Sequence, residues 1–298
     1  MSRFQMLSDA QWELIAPMLP TRPDRAGRPF SDARTMVEAI IYRYRCGIAW
    51  RDLPEVYGPW QTVWTWHRRL AEEGTWDAVL ARLTAAADAE GLIDWSVSVD
   101  STIARAHQHA TNITRLSQGD GSNYKNLHEE PADHGIGRSR GGLSTKIHQL
   151  VDGTGLPLVS LITPGQAGDS PMLLPLLGRL RVARPVGRPR TRPEAVLGDK
   201  AYSSRAIRTH LRARRIKAVI PEPADQQGHR RRRGSAGGRP VGLDLQAYKG
   251  RNVIERQYAH LKQWRGLATR YDKYAIVYRA AVVLNAVLAW SKRLSDMP

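Results

Sequence analysis

A chain of 298 residues, 42% of them hydrophobic, has the composition of a globular protein with a sizeable core, and length alone favours two domains of roughly 100–200 residues each. Lys and Arg outnumber Asp and Glu by 45 to 28, a formal net charge of +17. Such an excess attracts polyanions at long range and releases their counterions on contact, so nucleic acid is the leading partner and an acidic membrane surface the weaker one. The single Cys46 excludes a disulfide framework and a cysteine-rich zinc site. The opening MSRFQMLSDA lacks the apolar core of a secretory signal. Residues 275–290, the most apolar stretch, are interrupted by Arg279 and Asn285 and are short for a bilayer. The expectation is a cytoplasmic, nucleoid-associated protein with no membrane span.

Residues 1–90 read as a helical, aromatic module. Ser8 and Gln11 form a capping box ahead of Trp12, Leu14, Ile15 and Leu19, and Pro17 ends the regular part. After TRPDRAGRP a second helix is expected, with Ser31 as N-cap, Met36, Val37, Ile40, Ile41 and Tyr44 at helical spacing, and Gly47 at its end. Residues 48–70 then give a short helix, a Gly58-Pro59 turn and a longer helix, the size of a helix-turn-helix unit with a basic end. Gln61, Thr65, Arg68 and Arg69 are its candidate DNA contacts; Trp50, Trp60 and Trp64 can equally pack a small bundle. With a basic edge of its own, the module is expected to bind DNA unaided.

From Trp95, the apolar Trp95, Val97 and Val99 alternate with Ser96, Ser98 and Asp100, a strand whose polar face ends in an acid. Arg105, His107 and His109 follow. The two histidines could form a metal pair, but no further cysteine or clear carboxylate partner accompanies them, and phosphate or acid contacts are the preferred reading. Residues 111–142 are rich in Gly, Asn, Ser and Asp without periodicity and read as a flexible insertion, whose end HGIGRSRGG suits either a phosphate contact or a linker. Strands at 143–151, carrying Lys146, and 156–163 are joined by the hairpin signal Asp152-Gly153-Thr154-Gly155. A helix at 170–180 and a proline- and arginine-rich connector lead to a second acid-tipped strand, 195–199, ending in Asp199. A basic helix at 205–215 and a strand at 217–220 complete a mixed α/β sheet with flanking helices.

Residues 222–245 read as another flexible insertion, in which His229 to Arg233 form a charge block that is either solvated or a DNA clamp. As one helix, residues 248–271 advance about 100° per residue, which sets Tyr248, Arg251, Glu255 and Lys262 within an arc of about 60°. Val253, Ile254, Gln257, Leu261 and Trp264 face the other way, as packing on a sheet requires. Arg251 and Glu255 could also be no more than a surface pair at i, i+4.

Two acids at strand ends and Glu255 on a later helix can converge at one sheet edge, where hard oxygen donors suit Mg²⁺ or Mn²⁺ rather than zinc. The stretches VDSTIARAHQHA, EPADHGIGRSRGGLSTKIHQLVDGTGLPL, TPGQAGDSPML, LGDKAYSS and YKGRNVIERQYAHLKQWRGLATRYDKYA resemble the DDE transposases of bacterial insertion sequences, in the family whose type element is insertion sequence 5. They extend over most of residues 95–290, and GIAWRDLPEVYGPWQTVWTWHRRL resembles that family's N-terminal helical region. The resemblance implies an RNase H-like catalytic domain at 91–298 preceded by an all-helical, helix-turn-helix-like domain at 1–90. It implies Asp100, Asp199 and Glu255 as the catalytic, metal-binding triad for two Mg²⁺ ions, Mn²⁺ being the alternative. A Tyr-x2-Arg-x3-Glu-x6-Lys signature is complete at Tyr248, Arg251, Glu255 and Lys262. The implied activity is binding of the element's terminal inverted repeats, DNA cleavage, and joining of the freed 3′-hydroxyl to target DNA, by a homo-oligomer assembled on DNA. Arg105, Lys146, Tyr248, Arg251 and Lys262 would contact or position that DNA. Gly168 stands where histidine is more usual before Asp169, and Ser203 where aspartate commonly follows Tyr202. A related nuclease without strand transfer and a noncatalytic DNA-binding regulator are the alternatives.

Overall fold

The computed structural model describes residues 5–20, 32–112 and 130–297. Helix α1 (Asp9–Ile15) opens on the expected capping box, Ser8 Oγ accepting from Gln11 N–H while the Gln11 side chain accepts from Ser8 N–H. Helix α2 (Ala33–Cys46) is capped by Asp32, whose carboxylate accepts from Thr35 N–H, and stops at Gly47 in the left-handed conformation; Ser31 lies outside the described residues. Two short 3-10 turns, Trp50–Asp52 and Glu55–Tyr57, stand where a short helix was expected. Helices α3 (Trp60–Glu72) and α4 (Thr75–Ala89) follow, hinged at Gly74.

The sheet begins with β1 (Ser96–Ala106), followed by the single turn α5 (Gln108–Thr111). Next come β2 (Gly137–Ser139), β3 (Gly142–Val151), β4 (Pro157–Pro164), α6 (Leu173–Arg179) and β5 (Ala195–Leu197). Then α7 (Arg205–Ala213), β6 (Lys217–Val219), α8 (Ala224–Arg232), α9 (Leu245–Lys249) and α10 (Asn252–Lys262) lead to α11 (Arg265–Ala268), β7 (Thr269–Arg270) and α12 (Ala275–Ser295). Strand β1 runs antiparallel to β3, which runs antiparallel to β4, while β5 and then β6 lie parallel on the other side of β1. The main order is therefore β4-β3-β1-β5-β6, the RNase H-like arrangement of three antiparallel strands followed by two parallel ones, with β2 and β7 as short extensions. The hairpin between β3 and β4 is held by the buried Asp152 carboxylate, which accepts from Thr154 N–H and Leu156 N–H and so fixes the register.

Three local expectations change. Asp100 lies in the middle of β1, because β3 pairs with that strand as far as Arg105↔Ser144 and carries it past the acid. Residues 222–245 contain helix α8 rather than only a loop, and residues 130–142 fold into a buried turn at His134 and strand β2; residues 113–129 lie outside the described part. The helix expected at 248–271 is three pieces, α9, α10 and α11. Past the break after α10, α11 packs closely on α2: a Cβ on Gly266 would meet the Tyr44 backbone at 3.0 Å, tighter than ordinary van der Waals contact.

Helix α12 organises the interior. Val283, Leu284, Val287 and Trp290 are fully buried, and the helix packs on α1, α3, α4 and β4. By length and composition α12 is the one described helix able to cross a membrane, but 67% of its apolar window is buried within the molecule. Arg279 joins the parts, its guanidinium paired with Asp77 on α4 at 2.6 Å and donating to Ser160 O on β4 at 3.1 Å. A buried Arg43–Asp272 pair at 3.1 Å ties α2 to the chain before α12. The described N-terminal helices and most of the sheet thus share one large hydrophobic core, beside a small second cluster at Ala195, Leu197 and Val219.

Candidate active site

Adjacent parallel strands deliver the first two acids. Ser98 on β1 is level with Leu197 on β5, and continuing that register by two residues sets Asp199 level with Asp100. Between Leu197 and Asp199, Gly198 leaves little room for a side chain: a Cβ there would stand 3.1 Å from the Val99 side chain and 3.2 Å from the Tyr202 ring. Asp199 caps the turn Lys200–Tyr202, its Oδ1 accepting from Ala201 N–H at 2.9 Å. Asp100 Oδ1 accepts from Ser101 N–H at 2.8 Å. Helix α10 is pinned over β1 by Tyr258, whose hydroxyl donates to Asp100 O at 2.6 Å, and this carries Glu255 to the same edge.

Arg251, at the start of α10, spans the acids: one terminal nitrogen donates to Asp100 Oδ2 at 2.6 Å and the other to Glu255 Oε1 at 2.8 Å. Burial pushes the Asp100 carboxyl above its ordinary range, and the negative charges of Asp199 and Asp169 add to the rise against the pull of Ser101 N–H and Arg251. Several carboxylates thus repel one another at this edge, and one guanidinium supplies the opposing charge.

Asp169 is the acid that sequence reasoning passed over. Its Oδ1 accepts from Ser101 Oγ at 2.6 Å and from Lys146 Nζ at 2.8 Å, and Lys146 also donates to Ala167 O. Although burial opposes ionisation, these donors hold Asp169 below the usual carboxylate range. His148 Nδ1 lies 4.0 Å away, its ring pushed down to about 4 by burial and therefore neutral at pH 7. The available signal was Lys146 and His148 two apart on one strand, hence on one face, which calls for an acid opposite.

The other expected residues are dispersed. Tyr248 is on α9, packed on Ala195, Leu197 and Val219, and so does not share a helical face with Glu255. Lys262 is exposed at the end of α10, and Arg105 is exposed near the end of β1. On α3, Gln61 and Thr65 are exposed, while Arg68 and Arg69 pair with Glu72 and Glu73 at 2.7 Å each. The His107 and His109 rings lie close, with centroids 4.7 Å apart and their planes tilted by 57°.

Among the described residues, no three His, Cys, Asp or Glu stand grouped to hold one metal ion. The donors are hard carboxylate oxygens of the kind a divalent cation takes: the charge of Asp199 acts on Asp100, and Glu255 is linked to Asp100 through Arg251.

Residues 94–290 match the family model described as "Transposase DDE domain", and residues 7–80 match "Putative transposase of IS4/5 family". This chain belongs to the DDE-domain transposase family. It is 32% identical over 152 residues to the "Putative transposase for insertion sequence element IS402" of Burkholderia cepacia, covering 51% of this chain and 64% of that relative. Identity is 31% over 148 residues to the "Putative transposase for insertion sequence element IS6501" of Brucella ovis, covering 50% of this chain and 98% of the relative. An uncharacterized protein of Sinorhizobium fredii, y4sN, is 38% identical over 113 residues, covering 38% of this chain and 86% of its own. The crystal structure of a pre-cleavage Mos1 transpososome aligns with 93% of this chain and 83% of its own at 13% identity and a TM-score of 0.26, too distant to bear on the site.

Proposed function

We propose that this transposase binds the terminal inverted repeats of its insertion sequence, cleaves DNA there and joins the ends to target DNA, with Asp100, Asp199 and Glu255 holding Mg²⁺ or Mn²⁺, two ions in all. The observation that carries the reading is the meeting of Asp100 and Asp199 on neighbouring parallel strands, with Glu255 linked to them through Arg251. Bound divalent cations at such a carboxylate set supply Lewis-acid charge and an activated water to a phosphodiester.

The chain's own groups divide the remaining work. Arg251, released from Asp100 when a cation takes over the neutralisation, is positioned to meet a phosphate with its planar fork. Lys146 fixes Asp169 and, through it, Ser101 beside Asp100. Tyr248 anchors α9 to the edge of β5 and β6, and Lys262 and Arg105 offer exposed cations to passing DNA. Residues 1–90 take the part of end recognition, with Gln61, Thr65, Arg68 and Arg69 on the outer face of α3, and residues 91–298 the part of catalysis. The working form is a homo-oligomer assembled on DNA in the cytoplasm, at the nucleoid.

The test is Mg²⁺-dependent cleavage of a duplex carrying an element end. Asp100→Asn, Asp199→Asn and Glu255→Gln each remove a ligand charge with little change of volume, so each should abolish cleavage and leave binding of the end largely intact. Substantial cleavage by any of the three sinks the assignment, and binding without cleavage by the unaltered protein favours a noncatalytic regulator.

A further inference from the structure

The end of the parallel strands opposite the acids is built as a basic cavity. The chain between α6 and β5 folds back on itself through paired backbone bonds between Val182 and Arg190. Arg190 is held with its guanidinium 4.0 Å from the centre of the Trp95 ring and 2.9 Å from Glu194. Arg214 donates to Thr191 O at 2.8 Å, closing this loop against the turn before β6. In that turn Arg215 adopts a left-handed conformation, φ 55, fixed by bonds from its own N–H to Arg212 O and from Ile216 N–H to Leu211 O. The result is a cavity of about 550 Å³ lined by Arg184, Arg190, Arg192 and Arg215, with Glu194 as the one acid among its described lining residues. The side chains of Arg192 and Arg215 are exposed and have no hydrogen-bond or ion-pair partner among the described residues.

We propose that this cavity is a second phosphate-backbone site, gripping duplex DNA away from the bond that is cut. The inference rests on the DNA-processing reading above. Arg184 is engaged by Asp88 at 3.6 Å and Arg190 by Glu194, so the free donor forks are those of Arg192 and Arg215, and these suit phosphate oxygens. Five residue steps along and just past β5 separate Glu194 from Asp199, about 16 Å at the rise of an extended chain. That span is about five nucleotide steps of B-form DNA, so a phosphate held here is not the one at the acids.

The experiment uses the full chain and a duplex long enough to reach both ends of the sheet, with binding followed by fluorescence anisotropy across a salt series. Arg192→Ala/Arg215→Ala should weaken binding about tenfold or more and make the plot of log affinity against log salt shallower by about 2. Arg192→Lys/Arg215→Lys should restore most of both. Unchanged affinity and slope in the alanine pair overturn the site. A lysine pair as weak as the alanine pair, with a lowered Tm, also overturns it by making the arginines structural. If the unaltered protein binds no duplex, the DNA-processing reading itself fails; if it binds and only the variants are indistinguishable from it, the cavity alone is misassigned.

Discussion

One guanidinium holds two acids of different character at the sheet edge: Asp100 is half-buried, whereas the Glu255 side chain is 58% exposed. The Asp100 contact is therefore the one that matters for stability, since an exposed pair is screened by water. Arg251→Ala leaves Asp100 facing Asp199 and Asp169 without its own paired guanidinium and should cost about 1–3 kcal/mol, as loss of a charged hydrogen bond in a sheltered place does. Added Mg²⁺ should recover more stability in this variant than in the unaltered protein, because a cation replaces the missing charge. Urea midpoints with and without Mg²⁺ check this; an equal Mg²⁺ effect in both proteins refutes it. At this scale the strand that carries Asp100 was legible, because alternation in residues 95–100 is a local pattern. Asp169 was not, because its partner Lys146 lies 23 residues away and no period connects an acid in a turn to a lysine on a strand.

Elements were legible where their cause is local and misjudged where neighbours decide. The cap at Ser8 and the turn at Asp152 depend on residues a few positions apart, and both stand as read. Helical periodicity through residues 248–271 hid two breaks, and the docking of Gly266 on Tyr44 just past the second is a tertiary contact invisible along the chain. On α3 the same limit applies to His67, which is fully buried, 2.9 Å from the Tyr44 hydroxyl, and edge-on to that ring. Burial pushes His67 from 6.5 down to about 4, so the folded protein keeps it neutral while the unfolded chain takes up a proton first. Stability should thus be full above pH 6.5 and fall as pH drops towards 4, by up to about 1.4 kcal/mol per pH unit. His67→Gln keeps a polar partner for Tyr44 without the titration. The difference in Tm between the two proteins, followed from pH 7 to 5, should shrink as pH falls; a constant difference would place the titration elsewhere.

Across the molecule, helices α1 to α4 were read as a self-sufficient DNA-binding unit, and their apolar spacing supported that reading. Spacing shows that a face is apolar but not what covers it; here much of the cover comes from α12. A fragment of residues 1–90 should consequently melt without a cooperative transition, while the same fragment linked to residues 275–297 should recover one. Circular dichroism melts decide the point, and a sharp transition in the shorter fragment would show that the helical region folds without that cover.

The Arg279–Asp77 contact joins residues 202 positions apart in the chain. At about 5–20 residues added per second, a ribosome needs roughly 10–40 s to make that interval. For that time the apolar faces of α3 and α4 have left the ribosome without the helix that seals them, and they are open to holding chaperones. A message broken within the interval yields products that lack the helix completing the core over α3 and α4.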